Sequence, residues 1–315
     1  MSLLSPALSP PLEVLVPAST SNVGPGFDLL GVALSLFVRV RVVEPITGGR
    51  HRYRRRAGHA EAWPGSERDL LFRAFDLARG SPARDGAFAF EAESEVPIGR
   101  GFGSSGAAAA AGLLLGAALS AAPRALPALL RLGIELEGHP DNVTASLHGG
   151  CTLCHPLAGD GGAPVLVRAE VHPSIGFVLA WPAAPLATER ARAALPEHVP
   201  FADAVENPRR LALLLEGLRR GDPALLAQGG QDRLHTAHRL PLIPGAPAAM
   251  DAGRAAGAWL VAISGAGSGL VALGPRAAGA EIGAALARAF AAAGNGGEYR
   301  IVEPVYGTPA VQSRA

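Results

Sequence analysis

The sequence predicts an α+β protein of two domains. Its 315 residues exceed what a single hydrophobic core usually supports. Strand-like runs alternate with helical runs in both halves, and several runs are spaced as in antiparallel hairpins. We therefore expect an N-terminal domain over 1–168 and a C-terminal domain over 169–315, with a linker rich in Gly, Ala and Pro at 157–164.

The first half begins with strands and continues with helices. Apolar or alternating runs predict strands over 12–16, 32–43 and 88–95, and a polar hairpin tip or edge strand over 48–56. An i, i+3, i+4 apolar pattern predicts a helix over 66–79, with Ser66 as its N-cap. Further helices are predicted over 104–120 and 124–137, and a short helix precedes the glycines at 149–150.

The second half repeats this alternation without an internal sequence repeat. Apolar runs predict strands over 175–181 and 258–263, and an extended segment over 299–304. Helices are predicted over 204–220, 222–233, 246–256 and 276–293.

Composition excludes several classes of partner. Hydrophobic residues make up 49% of the chain, charged residues 17%, and the net charge is +1, so charge gives no reason to expect nucleic acid or an anionic membrane. No sufficiently long apolar run indicates a membrane span, and residues 1–11 have no basic region typical of a signal peptide. We therefore expect a cytoplasmic protein.

The two cysteines, Cys151 and Cys154, form a lone CxxC between His148 and His155. A metal or redox site would need a second pair of ligands or a thioredoxin-like context. Here the motif follows two glycines as an apolar strand, so we expect buried structural cysteines.

The most informative segment is 97–106, PIGRGFGSSG, which runs into an alanine-rich block over 107–119. Four glycines allow backbone N–H groups to approach a ligand, and the helix start at Ser104 and Ser105 adds unpaired donors and the positive end of a helix dipole. This pattern indicates a phosphate-binding loop. All 28 basic residues are arginine, so the loop has no lysine and is not a Walker P-loop.

Two other interpretations of this loop remain. The string GFGSSG also fits the dinucleotide fingerprint GxGxxG, but the preceding acidic residues 91–95 and Pro97 are unlike the buried parallel strand that this fingerprint follows. The segment 121–130 also lacks the acidic residue expected for a ribose contact. An ordinary glycine turn before a helix is the remaining alternative.

Three separated segments together resemble the signature motifs of the GHMP kinases, which phosphorylate small molecules using a lysine-independent phosphate loop. They are VPASTSNVGPGFDLLGVAL (16–34), the glycine loop, and ISGAGSGLVAL (263–273). With EGHPDNV at 137–143, the detailed match is to the homoserine kinase family. QDRLHTAHRLPLIPG (231–245) and ATERARAALP (187–196) resemble further segments of that family, the second being its T-x-x-A-R-x-x-L-P pattern.

The resemblance implies a fold and a reaction. The expected fold is a two-domain GHMP kinase fold, with an N-terminal ribosomal-protein-S5-domain-2-like domain and a C-terminal ferredoxin-like domain. The expected reaction is phosphorylation of L-homoserine by ATP with Mg²⁺ in threonine biosynthesis, and the resemblance implies a homodimer. The resemblance implies that Ser105, or Ser104, and Glu137 hold Mg²⁺, and that Arg100 adds charge. The nucleotide-binding residues that it implies are Asp69, Pro97, Ile98, Gly99, Arg100, Gly101, Phe102, Gly103, Ser104, Ser105, Gly106 and Ala107.

The resemblance also assigns the substrate pocket. Asn22, Asp28, His139 and Asn142 would line it, and Asp28 would face the amino group or the hydroxyl. A planar guanidinium suits an α-carboxylate, so Arg190 and Arg239 are the expected anchors. The catalytic residues expected are Asp28, Asp141 and Asn142. The general base stays open: Asp141, no side chain at all, or a purely structural Asp141 that caps a helix from Val143.

One departure from the family bears on the nucleotide. Asp69 stands where the family usually has an Asn in its adenine-contacting segment, and an ionised Asp accepts but does not donate. Another GHMP kinase, acting on a different small alcohol, is the alternative enzyme. A metabolite-binding regulator without activity is the alternative of a different class.

Overall fold

A computed structural model describes residues 8–156 and 163–314. Residues 1–7, at the start of the segment considered for a signal peptide, and residues 157–162 of the expected linker lie outside the described residues. Within the described ranges the strands are β1 (Leu12–Asn22), β2 (Gly26–Ile46), β3 (Arg52–Gly58), β4 (Ala87–Ser94), β5 (Cys151–His155), β6 (Val165–Ala169), β7 (Ile175–Trp181), β8 (Leu260–Ile263), β9 (Leu270–Pro275), β10 (Glu298–Val302) and β11 (Gln312–Ser313).

The predicted helices occur in the expected order, and two short helices, over 188–193 and 236–239, were not predicted. The helices described by the structure are α1 (Leu70–Arg79), α2 (Ser104–Ala118), α3 (Leu126–Glu137), α4 (Asp141–His148), α5 (Thr188–Ala193), α6 (Phe201–Arg220), α7 (Pro223–Gly229), α8 (Thr236–Arg239), α9 (Ala246–Ala255) and α10 (Gly279–Ala292). Within the same residues, no helix is both long and apolar enough to cross a membrane.

The first sheet has the order β11-β1-β2-β4-β3, and β5 pairs with both β2 and β6. Its pairs are antiparallel except for β3 and β4, which are parallel. The basic segment predicted as a hairpin tip or edge strand is the edge strand β3. Alanine-rich α2 packs between β1 and α1, and nearly every residue of α2 is buried, so small side chains let the elements approach closely.

The second sheet has the order β10-β7-β9-β8 and is antiparallel. Helices α5–α9 connect β7 to β8, and α10 connects β9 to β10. Numbered within this half, the strand order is 4-1-3-2 with one helical connection before the second strand and one before the fourth, which is the ferredoxin-like arrangement. The expected α+β fold is confirmed, and the second half has the ferredoxin-like arrangement that was expected for it.

At two helix starts the observed capping differs from the prediction. Helix α1 begins at Leu70 because Asp69, and not Ser66, is its N-cap, with the carboxylate accepting a hydrogen bond from Leu71 N at 3.1 Å. Helix α4 begins at Asp141, so that Asp141 does not cap a helix starting at Val143; its Oδ1 instead accepts from the adjacent Asn142 N at 2.8 Å.

The C-terminal tail returns to the first sheet. Ser35 N donates to Glu303 O, Gly150 N donates to Val305 O, and β11 pairs with β1. The last residues of the expected C-terminal domain 169–315 therefore pack on the N-terminal sheet, because the tail completes its unpaired edges. This strap ties the two halves together around the motifs described next.

Candidate active site

The three motif segments meet between the two sheets. Ser264 Oγ donates to Gly101 O at 2.7 Å, and Thr20 Oγ1 lies 2.8 Å from Ser264 Oγ, so Thr20 is left to donate in that pair. Asn22 Nδ2 donates to Gly265 O at 2.9 Å, while Gly265 N donates to Ser21 O. The end of β1, the glycine loop and the β8–β9 turn thus form one hydrogen-bonded unit.

The glycine loop ends at the N-terminus of α2. Gly103 is the N-cap, with a φ of 67°, and the first helical hydrogen bond runs from Ala107 N to Gly103 O at 2.9 Å. The backbone N–H groups of 104–106 therefore have no intrahelical acceptor. With the dipole of a 15-residue helix behind them, they form an anion-binding corner.

Two glycines of the loop are needed for a reason that the sequence did not indicate. A Cβ at Gly101 would overlap the carbonyl oxygen of Ser264, and a Cβ at Gly103 would overlap the hydroxyl of Ser19. Both residues also have a positive φ. The space where a side chain would lie at these two glycines is filled by the first and third motifs. The expectation had been that a ligand occupies it.

A cavity of about 450 Å³ opens beside this corner. One wall is the segment 62–70, the floor is the glycine loop with α2, and the far end is polar. The expected site residues that line it are Asn22, Asp28, Asp69, Pro97, Ile98, Gly99, Gly101, Phe102, Gly103, Ser104, Ser105, His139, Asp141, Asn142 and Arg239.

Arg100 does not point its charge into this cavity. Its Nε donates to Pro182 O at 3.0 Å, Nη1 donates to Ile98 O at 3.1 Å, and Nη2 donates to Ala183 O. The expectation that Arg100 adds charge at the phosphates is therefore corrected: backbone carbonyls hold its guanidinium, and those of Pro182 and Ala183 fasten the loop to the region after β7.

Ser105 and Glu137 place a hydroxyl and a carboxylate side by side at the start of α2. Ser105 Oγ donates to Glu137 Oε2 at 2.9 Å, joining the first turn of α2 to the end of α3. Burial raises the pKa of Glu137, and the nearby His139 opposes this effect. A divalent cation at the carboxylate would favour its ionised form.

His139, Asp141 and Asn142 form a network at the start of α4. His139 Nδ1 lies 2.7 Å from Asp141 Oδ1, and Asn142 Nδ2 donates to Ser21 Oγ at 3.0 Å. Ser19 Oγ donates to Asn142 Oδ1 at 3.0 Å. Burial opposes the charge on Asp141, yet its hydrogen bond with His139 holds the pKa of Asp141 below its usual range. The network fixes Asn142 and the ring of His139.

Asp28 forms an ion pair that crosses the cavity. Arg192 donates from Nη2 to Asp28 Oδ1 at 2.7 Å and from Nη1 to Oδ2 at 3.0 Å. Arg190, the expected anchor, is exposed and does not line the cavity. The signal for Arg192 was present, because the pattern T-x-x-A-R places its arginine at 192 when its threonine is Thr188.

Arg239 lies behind this ion pair and is 1% exposed. Its Nη1 donates to Gly265 O at 3.0 Å and its Nε donates to Ala191 O at 3.3 Å. Burial, the largest effect, and the nearby Arg192 lower its pKa. Within the described residues Arg239 has no salt bridge, so a ligand carboxylate is a suitable partner for it.

Asp69 has a different environment from the one expected of a base-contacting side chain. Its Oδ2 accepts from Tyr53 OH at 3.1 Å and from Gly65 N at 3.0 Å, while Oδ1 caps α1. Burial raises the pKa of Asp69. The carboxylate thus holds the wall 62–70 of the cavity in place. Helix-capping propensity alone does not indicate this role.

Both cysteines are buried, as expected, and neither is in a disulfide. Burial raises the pKa of Cys151 to about 12. In the part of the chain that the structure describes, no cluster of potential ligands surrounds them to hold a metal.

Comparison with known families agrees with this geometry. Residues 69–150 match the family described as GHMP kinases N terminal domain, and residues 214–292 match GHMP kinases C terminal. The chain is 40% identical over 290 residues to homoserine kinase of Prochlorococcus marinus subsp. pastoris, covering 91% of each chain. It is 39% identical over 292 residues to homoserine kinase of Synechococcus sp. (strain CC9605), covering 92% of each.

Solved structures give the same answer for the fold. The crystal structure of homoserine kinase from Cytophaga hutchinsonii has a TM-score of 0.82 and 26% identity, and the match covers 98% of this chain and all of that one. The structure of L. major mevalonate kinase has a TM-score of 0.65 at 15% identity, with 98% of this chain and 99% of that chain covered, and shares the fold. The chain belongs to the homoserine kinase family of the GHMP kinases.

Proposed function

We propose that this chain transfers the γ-phosphoryl group of ATP to the side-chain hydroxyl of L-homoserine, forming O-phospho-L-homoserine for threonine biosynthesis. The observation that carries the proposal is the convergence of two sites in one cavity. An anion-binding helix start faces the cavity at one end, and acidic and basic groups suited to an amino acid line the other.

The nucleotide is proposed to lie along the glycine loop. The free N–H groups of 104–106 would bind its phosphates, supported by the dipole of α2. The wall 62–70 would contact the base. Asp69 holds that wall in place through Gly65 and α1, so base recognition would fall to the backbone and to neighbouring side chains.

Ser105 and Glu137 are proposed to hold Mg²⁺. Their oxygens lie 2.9 Å apart beside the free N–H groups of α2, and hydroxyl and carboxylate oxygens are ligands that this cation prefers. When bound, the cation would neutralise charge on the phosphates during transfer.

The amino acid is proposed to bind at the polar end. Asp28, beside Asn22, would accept hydrogen bonds from the α-ammonium group. Arg192 and Arg239 would bind the α-carboxylate. Arg192 takes the place of Arg190 in this assignment. His139 and Asn142 line the space between this end and the phosphate corner, where the hydroxyl would attack.

Catalysis is proposed to depend chiefly on positioning. The hydroxyl oxygen attacks the γ-phosphorus, the bond to the bridging oxygen breaks, and ADP leaves with the electron pair. Asp141 is buried and holds both His139 and the backbone of Asn142, which makes it a positioning residue rather than a base that touches the hydroxyl. The hydroxyl proton would pass to phosphate or solvent.

We further propose a cytoplasmic homodimer. Light scattering on the purified chain tests the dimer: a mass near twice 32.0 kDa supports it, and a mass near 32.0 kDa contradicts it.

The activity is tested with purified protein, ATP and Mg²⁺ against homoserine, serine, mevalonate, galactose and shikimate. ADP release is followed, and the product is identified by ³¹P NMR. Turnover with homoserine as the preferred acceptor supports the proposal. Preference for another alcohol would keep the phosphate site and overturn the substrate, and no turnover with any acceptor would favour a binding protein.

A further inference from the structure

Part of the cavity wall is built where the glycine loop meets the chain that follows β7. The connection over 182–186 leads from β7 to α5, and Leu186 at its end lines the cavity. Ile98 and Gly99 of the glycine loop line it as well. Neither segment is in a helix or a strand, so no regular pairing joins them. This line of contact between the two halves of the molecule is called the seam below.

Side chains supply hydrogen bonds to the connection on the second side of the seam. Arg100 donates from Nε to Pro182 O at 3.0 Å and from Nη2 to Ala183 O. Ser268 Oγ donates to Ala184 O at 2.7 Å. Three successive carbonyl groups that lie outside any strand are therefore satisfied by two side chains, and buried backbone polar groups need such partners.

The two sides of the seam touch at Gly99. Leu186 N donates to Gly99 O at 2.9 Å, and a Cβ at Gly99 would lie 2.9 Å from the Cβ of Pro185. Arg100 follows Gly99 directly and holds the same connection by its first two residues. The guanidinium and the backbone hydrogen bond thus fix the connection at both of its ends, and the seam is closed.

Water is a competing acceptor for any phosphoryl group bound at the nearby helix start. When a water oxygen attacks the γ-phosphorus, the bond to the bridging oxygen breaks and ADP leaves with the electron pair. The products are ADP, inorganic phosphate and a proton released to solvent. A wall that keeps water out prevents this loss of ATP.

We propose that Arg100 is a positioning residue that holds the seam closed and so favours phosphoryl transfer to the bound alcohol over transfer to water. The guanidinium acts through the 182–186 connection, since its charge is directed at backbone carbonyls and not into the cavity. This inference rests on the proposed function and adds to it a residue that selects between two acceptors.

The test measures how ATP is divided between the two acceptors. The parent chain and Arg100→Met are given ATP, Mg²⁺ and saturating homoserine, and ³¹P NMR measures inorganic phosphate and O-phospho-L-homoserine. Methionine keeps much of the apolar stem and removes the donors. The control is Arg79→Met, because Arg79 also donates to backbone carbonyls, those of Ser81 and Gly86, both at 2.7 Å, but lies outside the cavity.

The expected result is a change in the ratio of inorganic phosphate to phospho-homoserine. Arg100→Met raises this ratio about tenfold, because losing hydrogen bonds of ordinary strength shifts an opening equilibrium by about that factor. Ser268→Ala, which removes one hydrogen bond to the same connection, raises it about threefold. Arg79→Met leaves it unchanged. A purely structural role of Arg100 would lower the amount of active protein without moving the ratio, since both products come from the same folded molecules.

Other outcomes separate this inference from the proposed function. If the parent phosphorylates homoserine and folded Arg100→Met keeps the parent's ratio, the inference alone is overturned. An equal rise in Arg79→Met would indicate general loosening of the fold and would also overturn it. If thermal unfolding shows that Arg100→Met does not fold, Ser268→Ala decides, and a ratio equal to the parent's overturns the inference. If the parent phosphorylates no acceptor, the proposed function fails and the inference fails with it.

Discussion

Asp69 shows how one side chain connects local structure to a binding wall. Its carboxylate caps α1 through Leu71 N, and it also holds Gly65 N and the hydroxyl of Tyr53. Helix capping is a local interaction, but the hold on Gly65 fixes the segment 62–70 that lines the cavity. An asparagine could not reproduce both acceptor oxygens, because its amide nitrogen donates.

We expect Asp69→Ala to lower the free energy of unfolding by about 1–2 kcal/mol through loss of the cap, and also to raise the KM for ATP. The control is Asp222→Ala, which removes the cap of α7, where Asp222 accepts from Ala224 N and Leu225 N. Urea unfolding and steady-state kinetics measure both effects. An unchanged KM for ATP in Asp69→Ala would show that the wall does not depend on this carboxylate.

Arg190 and Arg192 differ in surroundings although they are only two positions apart in the sequence. On a helix their side chains point about 200° apart, since each residue turns about 100°. Arg192 faces Asp28 and the cavity, whereas Arg190 faces solvent.

We expect Arg192→Met to raise the KM for homoserine about 30-fold or more, the effect of truncating one member of a hydrogen-bonded charge pair. Arg190→Met should change this KM far less. Initial rates at saturating ATP measure both variants. Equal effects of the two substitutions would contradict the assignment of Arg192.

At the scale of elements, the glycine loop depends on its contacts with the other two motifs. Gly101 and Gly80 both have positive φ values, of 73° and 78°. A Cβ at Gly80 would meet no atom within 4 Å, whereas a Cβ at Gly101 would overlap Ser264 O. The pair therefore separates backbone strain from loss of packing.

We expect Gly80→Ala to cost about 1 kcal/mol of stability, the penalty of a left-handed alanine. Gly101→Ala should cost more than about 3 kcal/mol, or reduce kcat strongly if the loop moves instead. Urea unfolding and kinetics distinguish these results. Equal costs at the two sites would contradict the close packing described for the loop.

Most element types were predictable, and their ends were less so. The strand β7 is a continuous apolar run with all seven residues buried, and the amphipathic α1 carries a strong helical period. The strand β1 extends six residues beyond the predicted end at 16, because pairing with β2 continues through polar residues that a hydrophobic pattern does not capture. The cap at Asp69 and the start of α4 at Asp141 likewise depend on side-chain hydrogen bonds.

At the scale of the whole molecule, buried histidines link stability to pH. Burial, together with the positive charge of Arg168, lowers the pKa of His148 from 6.5 to about 4, and its Nε2 has no hydrogen-bond partner within the described residues. Between these values the unfolded chain binds a proton that the folded chain does not. The contribution of His148 is therefore present above pH 6.5 and is lost as the pH falls towards 4.

We expect His148→Met to remove up to about 3 kcal/mol of the difference in unfolding free energy between pH 7 and pH 4. The control is His238→Gln, at an exposed position on α8. Urea unfolding at several pH values measures the slopes. A His148→Met slope equal to that of the parent would show that other groups account for acid sensitivity.

The sequence by itself determined the α+β alternation, the glycine loop with its helix, and, by resemblance, the family. These features depend on short-range patterns: periodicity, glycine spacing and motif order. The tertiary structure alone decided which charges meet. The pairing of Asp28 with Arg192, 164 residues apart, and the return of the tail to β1 depend on how the halves pack. Contacts between distant segments leave no local pattern in the sequence. The partner of each side chain lies in another part of the chain, so the neighbouring residues carry no information about it.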